Sequence, residues 1–187
     1  VAGDQSDCET MFAAKSLLGA LGSSLLEGRQ TGMDYDTSSL TAVNFNTGFA
    51  GIETADAVLI VGSNLRTEAP LVNVRLRKAV KRGAKVFLVG PEWETTFVGE
   101  FLGNDLSLLG NLPAHVASAL KSALRPAIIV GGGAIARGAI PPALALAAKF
   151  KLVRTLDDGS TWNGFNALHL AAARMGGLML GFAQKGG

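Results

Sequence analysis

The run Gly131-Gly132-Gly133-Ala134-Ile135-Ala136 follows an apolar segment and fits the spacing G-x-G-x-x-G/A. In that arrangement a strand turns tightly into a helix and brings backbone amides up to a pyrophosphate. Two prolines, Pro141 and Pro142, predict a helix that begins several residues later than the fingerprint needs, because proline belongs in the first turn. The following segment, Arg154-Thr155-Leu156, offers no acid for a ribose before Asp157. A plain strand-to-helix turn is therefore favoured over a dinucleotide cradle.

A second loop, Gly62-Ser63-Asn64-Leu65-Arg66, stands in the equivalent place after an earlier apolar run. Amides of Ser63 and Asn64, with Arg66 beside them, could hold a phosphate. The alternative has Asn64 capping the turn and Arg66 pairing with Glu68 or with a neighbouring subunit. No Gly-Lys-Ser/Thr follows, so a P-loop is excluded.

The remaining chemistry-bearing residues are sparse. His115 and His169 stand far apart, no His pair shares a helix turn, and Cys8 is the only thiol, so the sequence predicts no zinc or iron site. Neither histidine has an acid beside it in sequence and no Gly-x-Ser-x-Gly elbow occurs, which leaves no catalytic triad. Asp157 and Asp158 are adjacent in a turn rather than opposed across a cleft, against glycosidase-type chemistry. Cys8 reads as a small helix-packing residue. Arg66, Arg75, Arg77, Lys78, Lys81, Arg82 and Lys85 face a single acid, Glu68, in their stretch. They read either as a solvated helix side or as a face for an acidic partner. Without interleaved aromatics they do not indicate nucleic acid.

The elements that must position these groups follow from periodicity. Ala57 to Val61 is apolar on both sides and predicts a buried parallel strand. Pro70 suits a first helical position, and Val72, Leu76, Ala79 and Val80 repeat at helical spacing. Lys81 and Arg82 complement the helix dipole before a stop at Gly83, and Lys85 to Val89 is the next strand. Pro113 to Leu124, Pro126 to Val130, Pro141 to Phe150 and Lys151 to Arg154 repeat the order helix, strand, helix, strand. Two related strand, loop, helix, strand units predict a doubly wound, mainly parallel α/β sheet flanked by helices.

Upstream, Val1 to Gly3 reads as the tail of a strand, and Ser6 or Asp7 as the cap of a helix over Cys8 to Leu21 whose apolar face is Met11, Leu17, Leu18 and Leu21. Residues 28 to 50 form a long irregular connection, followed by a helical turn at Gly51 to Thr54. Gly164 to Ala183 is too interrupted by His169, Arg174 and Gly176-Gly177 to span a membrane, and predicts a packed helix followed by an extended piece. With 187 residues and 48% hydrophobic positions, one compact unit is expected, divisible into lobes 1–110 and 111–187. The formal net charge of +2 gives no whole-chain argument for nucleic acid or acidic lipid. A start at Val1 rather than Met, and a loop-like end at Lys185-Gly186-Gly187, predict a piece of a longer protein.

One stretch is more specific than either glycine loop. Asp56-Ala57-Val58-Leu59-Ile60-Val61-Gly62-Ser63-Asn64, then Arg66, Glu68-Ala69-Pro70-Leu71-Val72-Asn73 and Arg75-Leu76-Arg77-Lys78, resembles the large peripheral-arm iron–sulfur subunit of NADH-quinone oxidoreductase, respiratory complex I, in its bacterial form and in its mitochondrial 75 kDa form. Val1-Ala2-Gly3, Asn44 to Gly51, Ile52-Glu53, Leu102-Gly103-Asn104, Lys121 to Val130 and Trp162-Asn163 to His169 extend the resemblance in order along the chain.

The resemblance implies a fold similar to molybdopterin oxidoreductases, in which two related α/β domains clamp a pterin dinucleotide through a Gly-x-Asn-Pro turn. Gly62 and Asn64 match that turn, Leu65 replaces its proline, and nothing matches the metal-binding cysteine or selenocysteine segment. It also implies a parent assembly that oxidises NADH, passes electrons through iron–sulfur clusters to quinone and moves protons. Those clusters would sit in an N-terminal cysteine-rich region absent from residues 1–187. This segment is then expected to be structural, without catalytic or metal residues. Gly62, Ser63, Asn64, Arg66, Gly131 and Gly133 would be a vestigial cofactor loop, and the alternative is a module that still holds a nucleotide or molybdopterin dinucleotide. Implied partners are other lobes of the same subunit and other peripheral-arm subunits. The implied location is the cytoplasmic face of a bacterial inner membrane or the matrix side of a mitochondrial one.

Overall fold

A computed structural model describes residues 1–29, 33, 35, 37 and 39–183. Its elements in chain order are α1 (Cys8–Ala20), a 3-10 turn (Leu40–Ala42), α2 (Gly48–Ile52), β1 (Ala57–Val61), α3 (Leu65–Glu68), α4 (Pro70–Lys81), β2 (Lys85–Val89) and β3 (Glu100–Gly103). A second 3-10 turn (Leu106–Gly110) precedes α5 (Ala114–Ser122), β4 (Pro126–Val130), α6 (Gly132–Ile135), α7 (Ile140–Lys149), β5 (Val153–Thr155), β6 (Thr161–Asn163), β7 (Phe165–Ala167) and α8 (Arg174–Leu180).

The main sheet runs β3-β2-β1-β4-β7, with every neighbouring pair parallel. The predicted doubly wound α/β fold is therefore observed. All five residues of both β1 and β4 are buried, as a central parallel strand with helices on both faces requires. Ala57, Leu59 and Val61 point into a core shared with Val116 and Leu120 of α5 and Ala143 and Leu146 of α7. Val58 and Ile60 point the other way, against Ile52 of α2 and Val72, Leu76 and Ala79 of α4. Pro70 opens α4 as expected, and Gly83, at φ +98, ends it in a conformation that only glycine adopts without strain.

The second unit differs from its prediction. Lys151 to Arg154 does not return to the main sheet: β5 pairs antiparallel with β6 in a separate two-stranded sheet. The strand that completes the unit is β7, beside β4. It holds Asn166, fully buried, whose Oδ1 accepts from Thr47 N–H at 3.0 Å and whose amide donates to Gly164 O at 3.0 Å. That side chain ties the connection before α2 to the sheet. Trp162 of β6 packs in the α4-side core, and its Nε1–H donates to Pro126 O at 2.8 Å.

Three further expectations are corrected. Val1 to Gly3 forms no strand and makes one sheet-like bond, from Ala2 N–H to Glu27 O. Asp7 caps α1 as predicted, accepting from Thr10 N–H, but the helix buries only Met11, and Leu17 and Leu21 face solvent. Within 164–183 the order is strand, then helix α8, because Asn166 and its neighbours pair with β4 instead of coiling. Cys8 lies against Gly176 of α8, where a Cβ would meet its sulfur at 2.5 Å. It is a packing residue, though an exposed one.

Candidate functional site

In a doubly wound sheet, ligands bind outside the carboxyl ends of the strands where the strand order reverses. Here that point lies between β1 and β4, and the two glycine loops follow those two strands. The fold thus brings Gly62, Ser63, Gly131 and Gly133 together, as their equivalent positions predict.

The junction is tightly filled. Gly62 adopts φ +58, and a Cβ there would lie 2.6 Å from Ala134 Cβ. One on Gly131 would fall 2.6 Å from Gly62 O and closer still to Ser63 Cβ. One on Gly132 would strike the Leu170 side chain at 2.8 Å. The glycines are needed so that the two loops can pack on each other. Two of their amides are also engaged, Gly62 N–H with Val89 O at 2.7 Å and Gly131 N–H with Val61 O at 2.8 Å, and Gly90 after β2 likewise donates to Gly103 O at 2.9 Å. The parallel ladder is thereby carried one residue beyond each strand.

Ser63 is 1% exposed, and its hydroxyl donates to Glu68 Oε2 at 2.9 Å. The other Glu68 oxygen accepts from Asn64 N–H at 3.3 Å. Asn64 caps α3, its Oδ1 accepting from Arg66 N–H at 3.2 Å. An anion-seeking loop at a helix start therefore already has an internal carboxylate. Arg66 does not pair with Glu68. It reaches Glu94 at 3.1 Å in an exposed ion pair, because Glu68 is turned inward to Ser63 and Asn64. Gly133 is exposed, and its carbonyl accepts from Arg137 Nε–H at 3.2 Å.

Sequence reasoning missed Glu68 as the partner of this loop. The signal available was a glutamate one turn after a capping Asn, a late version of the capping box. It also missed Leu170, which covers Gly132.

The histidines lie apart from each other. His115, on α5, meets Glu100 of β3 at 2.9 Å, an acid remote in sequence but adjacent in the fold. The pair lies beside a cleft of about 640 Å³ at the amino ends of β2 and β3, lined by Val80, Val86, Phe87 and Val98. That places it away from the glycine loops. His169 is partly buried, with its Nε2 on Val43 O and its Nδ1 3.4 Å from the Tyr35 hydroxyl. Burial, and to a smaller extent Arg174, holds its pKa below the ordinary 6.5, while the Val43 bond opposes the shift. Among the described residues no three His, Cys, Asp or Glu side chains gather as a metal site. No helix among them is long and apolar enough to cross a membrane.

On the other side of the sheet, three cations converge on one carboxylate. Arg75 contacts Glu53 at 2.7 Å, Arg82 at 2.9 Å and Lys78 at 3.5 Å. Arg75, then Lys78 and Arg82, hold the Glu53 carboxyl below its usual range.

A five-stranded parallel sheet with paired glycine turns at its reversal point defines a doubly wound α/β domain. The family model for molybdopterin oxidoreductase matches residues 1–187, and the chain belongs to that family. Within it, the chain is 40% identical over 192 residues to the mitochondrial NADH dehydrogenase [ubiquinone] iron-sulfur protein 1 of Solanum tuberosum, covering 99% of this chain and 26% of that protein. It is 37% identical over 190 residues to the corresponding NADH-quinone oxidoreductase subunit of Rickettsia felis, covering 97% and 28%. Against the mitochondrial NADH-ubiquinone oxidoreductase 78 kDa subunit of Neurospora crassa it is 33% identical over 198 residues, covering 97% and 25%. The resemblance read from Asp56 to Lys78 is thus borne out along the chain, which spans about a quarter of the length of these relatives.

Proposed function

We propose that residues 1–187 form one compact structural segment of the peripheral-arm subunit of a proton-translocating NADH:quinone oxidoreductase. The segment supports electron transfer from NADH to quinone without carrying a redox centre. The observation that carries this reading is the filled junction between β1 and β4. Gly62, Gly131 and Gly132 lack room for even one added carbon against Ala134, Ser63 and Leu170, the Gly62 and Gly131 amides belong to the ladder, and Glu68 accepts from the Ser63 hydroxyl and the Asn64 amide. A second anion there would face the Glu68 carboxylate at close range and would have to displace it. These residues do not fit a pterin dinucleotide, and no step of electron transfer is routed through them.

Iron–sulfur clusters belong, on this reading, to other parts of the full-length subunit, as the name of the Solanum relative suggests. Partners are the remaining lobes of that subunit and other subunits of the arm. The location is the cytoplasmic face of a bacterial inner membrane or the mitochondrial matrix side.

Purified without reconstitution, the chain is expected to show no visible iron–sulfur absorption and negligible NADH oxidation. A cluster spectrum from this chain alone would overturn the reading. Molybdenum or tungsten found by elemental analysis of the full-length subunit would do so independently.

A further inference from the structure

α4 buries Val72, Leu76 and Ala79 and leaves a second stripe outside. Leu71 and Val74 are 66% and 48% exposed, and Lys78 and Lys81 continue the same line with spacings of three, four and three residues. Arg77 flanks it, also exposed. Over about 15 Å, at 1.5 Å per residue, the seam changes from apolar to cationic.

Internal needs do not account for this charge. Arg75, Arg77, Lys78, Lys81 and Arg82 bring five cations to α4 and its cap, and the acid that reaches them is Glu53. The nearby Asp56 is engaged by the Leu124 and Arg125 amides. The carboxyl end of the helix dipole offsets only about half a charge. Arg77 and Lys81 make no ion pair among the described residues. An exposed Leu and Val, in line with the cations, find no use in a solvated face.

We propose that this stripe is a docking seam for an acidic amphipathic helix of a neighbouring polypeptide, an inference that rests on the scaffold reading above. The seam spacing is that of helix-to-helix packing. The occupant would place apolar residues over Leu71 and Val74 and Asp or Glu over Arg77, Lys78 and Lys81. The apolar half distinguishes such a helix from a phosphate backbone, which is charged along its whole length.

The test is zero-length carbodiimide coupling, which joins amines only to touching carboxylates, in the purified NADH-oxidising complex containing this chain. Lys78 or Lys81 is expected to couple to an Asp or Glu outside residues 1–187, and both lysines to be protected from acetylation relative to Lys121 and Lys149. Coupling to Glu53 alone, with Lys81 freely acetylated in the complex, overturns the docking seam and leaves the scaffold reading intact. Absence of the chain from that complex overturns the scaffold reading itself. Protection that appears only with anionic phospholipid vesicles or with duplex DNA overturns the protein partner.

As a second measurement, Arg77→Glu with Lys81→Glu should keep the circular dichroism of the parent chain, with a slightly lower melting midpoint because Lys81→Glu opposes the helix dipole, while lowering its retention in the complex about tenfold or more, since like charges now meet across the seam. Unchanged retention overturns the proposal.

Discussion

At the carboxyl ends of β1 and β4, the Gly62 and Gly131 amides, the Ser63 hydroxyl and the Asn64 amide all have partners within the chain. On the outward sides of α1 and α4, Phe12, Leu17, Leu21, Leu71 and Val74 remain in solvent. In a ligand-binding relative of this fold the balance should be reversed, with a crevice holding unsatisfied donors and helices wet on their outer sides. On the scaffold reading proposed above, the capacity for contact lies on the helix surfaces rather than at the strand ends. A crevice closed by packing and an exterior with apolar stripes is what a segment covered by neighbours requires.

The largest expected effect comes from reopening the closed side. Gly131→Ala and Gly62→Ala should each lower unfolding free energy by about 3 kcal/mol, because the added methyl has no room and Gly62 also sits at positive φ. A shift in the urea midpoint measures this. Gly19→Ala on α1, where nothing lies within 4 Å of the added carbon, should instead stabilise by about 0.5 kcal/mol. Equal tolerance at Gly131 and Gly19 would break the comparison.

Next in size, Glu68→Gln should cost about 1 kcal/mol, since Ser63 and Asn64 donate to different carboxylate oxygens and one of them then faces an NH2 group instead of an acceptor. An unchanged midpoint would mean that Glu68 does not hold the loop.

The two regions should also separate by pH. His169, which follows the last residue paired to β4, is held below its ordinary pKa of 6.5, so the native state resists the proton that the unfolded chain accepts. Stability should be complete above pH 6.5 and decline as pH falls from there toward the lowered native value, and His169→Gln should abolish that slope. Glu53, on the α4 side, is held below its ordinary 4.5, so its contribution is present above pH 4.5 and disappears only as pH falls further. Glu53→Gln should reduce the acid-limb slope, to which Asp7, Asp105 and Asp158 also contribute, and leave the one near neutrality. Urea unfolding across pH 3 to 8 separates the two limbs.

The smallest effect is expected at Val74→Ser. It should change the stability of the isolated chain by less than about 0.5 kcal/mol, because the side chain is already wet. A large loss would place Val74 in the chain's own core.

Much of the fold was legible where local and tertiary signals agree. The apolar run of β1, Pro70, the Val72, Leu76 and Ala79 spacing and Gly83 mark a unit that the structure reproduces almost residue for residue. β3 and β7 were not legible, having four and three residues. Strands so short exist only through pairing with β2 and β4, and Asn166 makes β7 look polar although its side chain is fully bonded inside. Lys151 to Arg154 has strand composition, but composition does not say which sheet receives it. At the candidate site, Gly62, Ser63 and Gly131 were found from their positions after apolar runs. Glu68 escaped because a glutamate in a short helix ordinarily faces water.

The closed junction is tested most directly by thermal shift of the chain against molybdopterin guanine dinucleotide, NADH and ADP. The account predicts no change in melting temperature with any of them up to millimolar concentration. A saturable rise, approaching the equivalent of about 2.7 kcal/mol at about 100 times Kd, would contradict it and restore the glycine loops as a binding site.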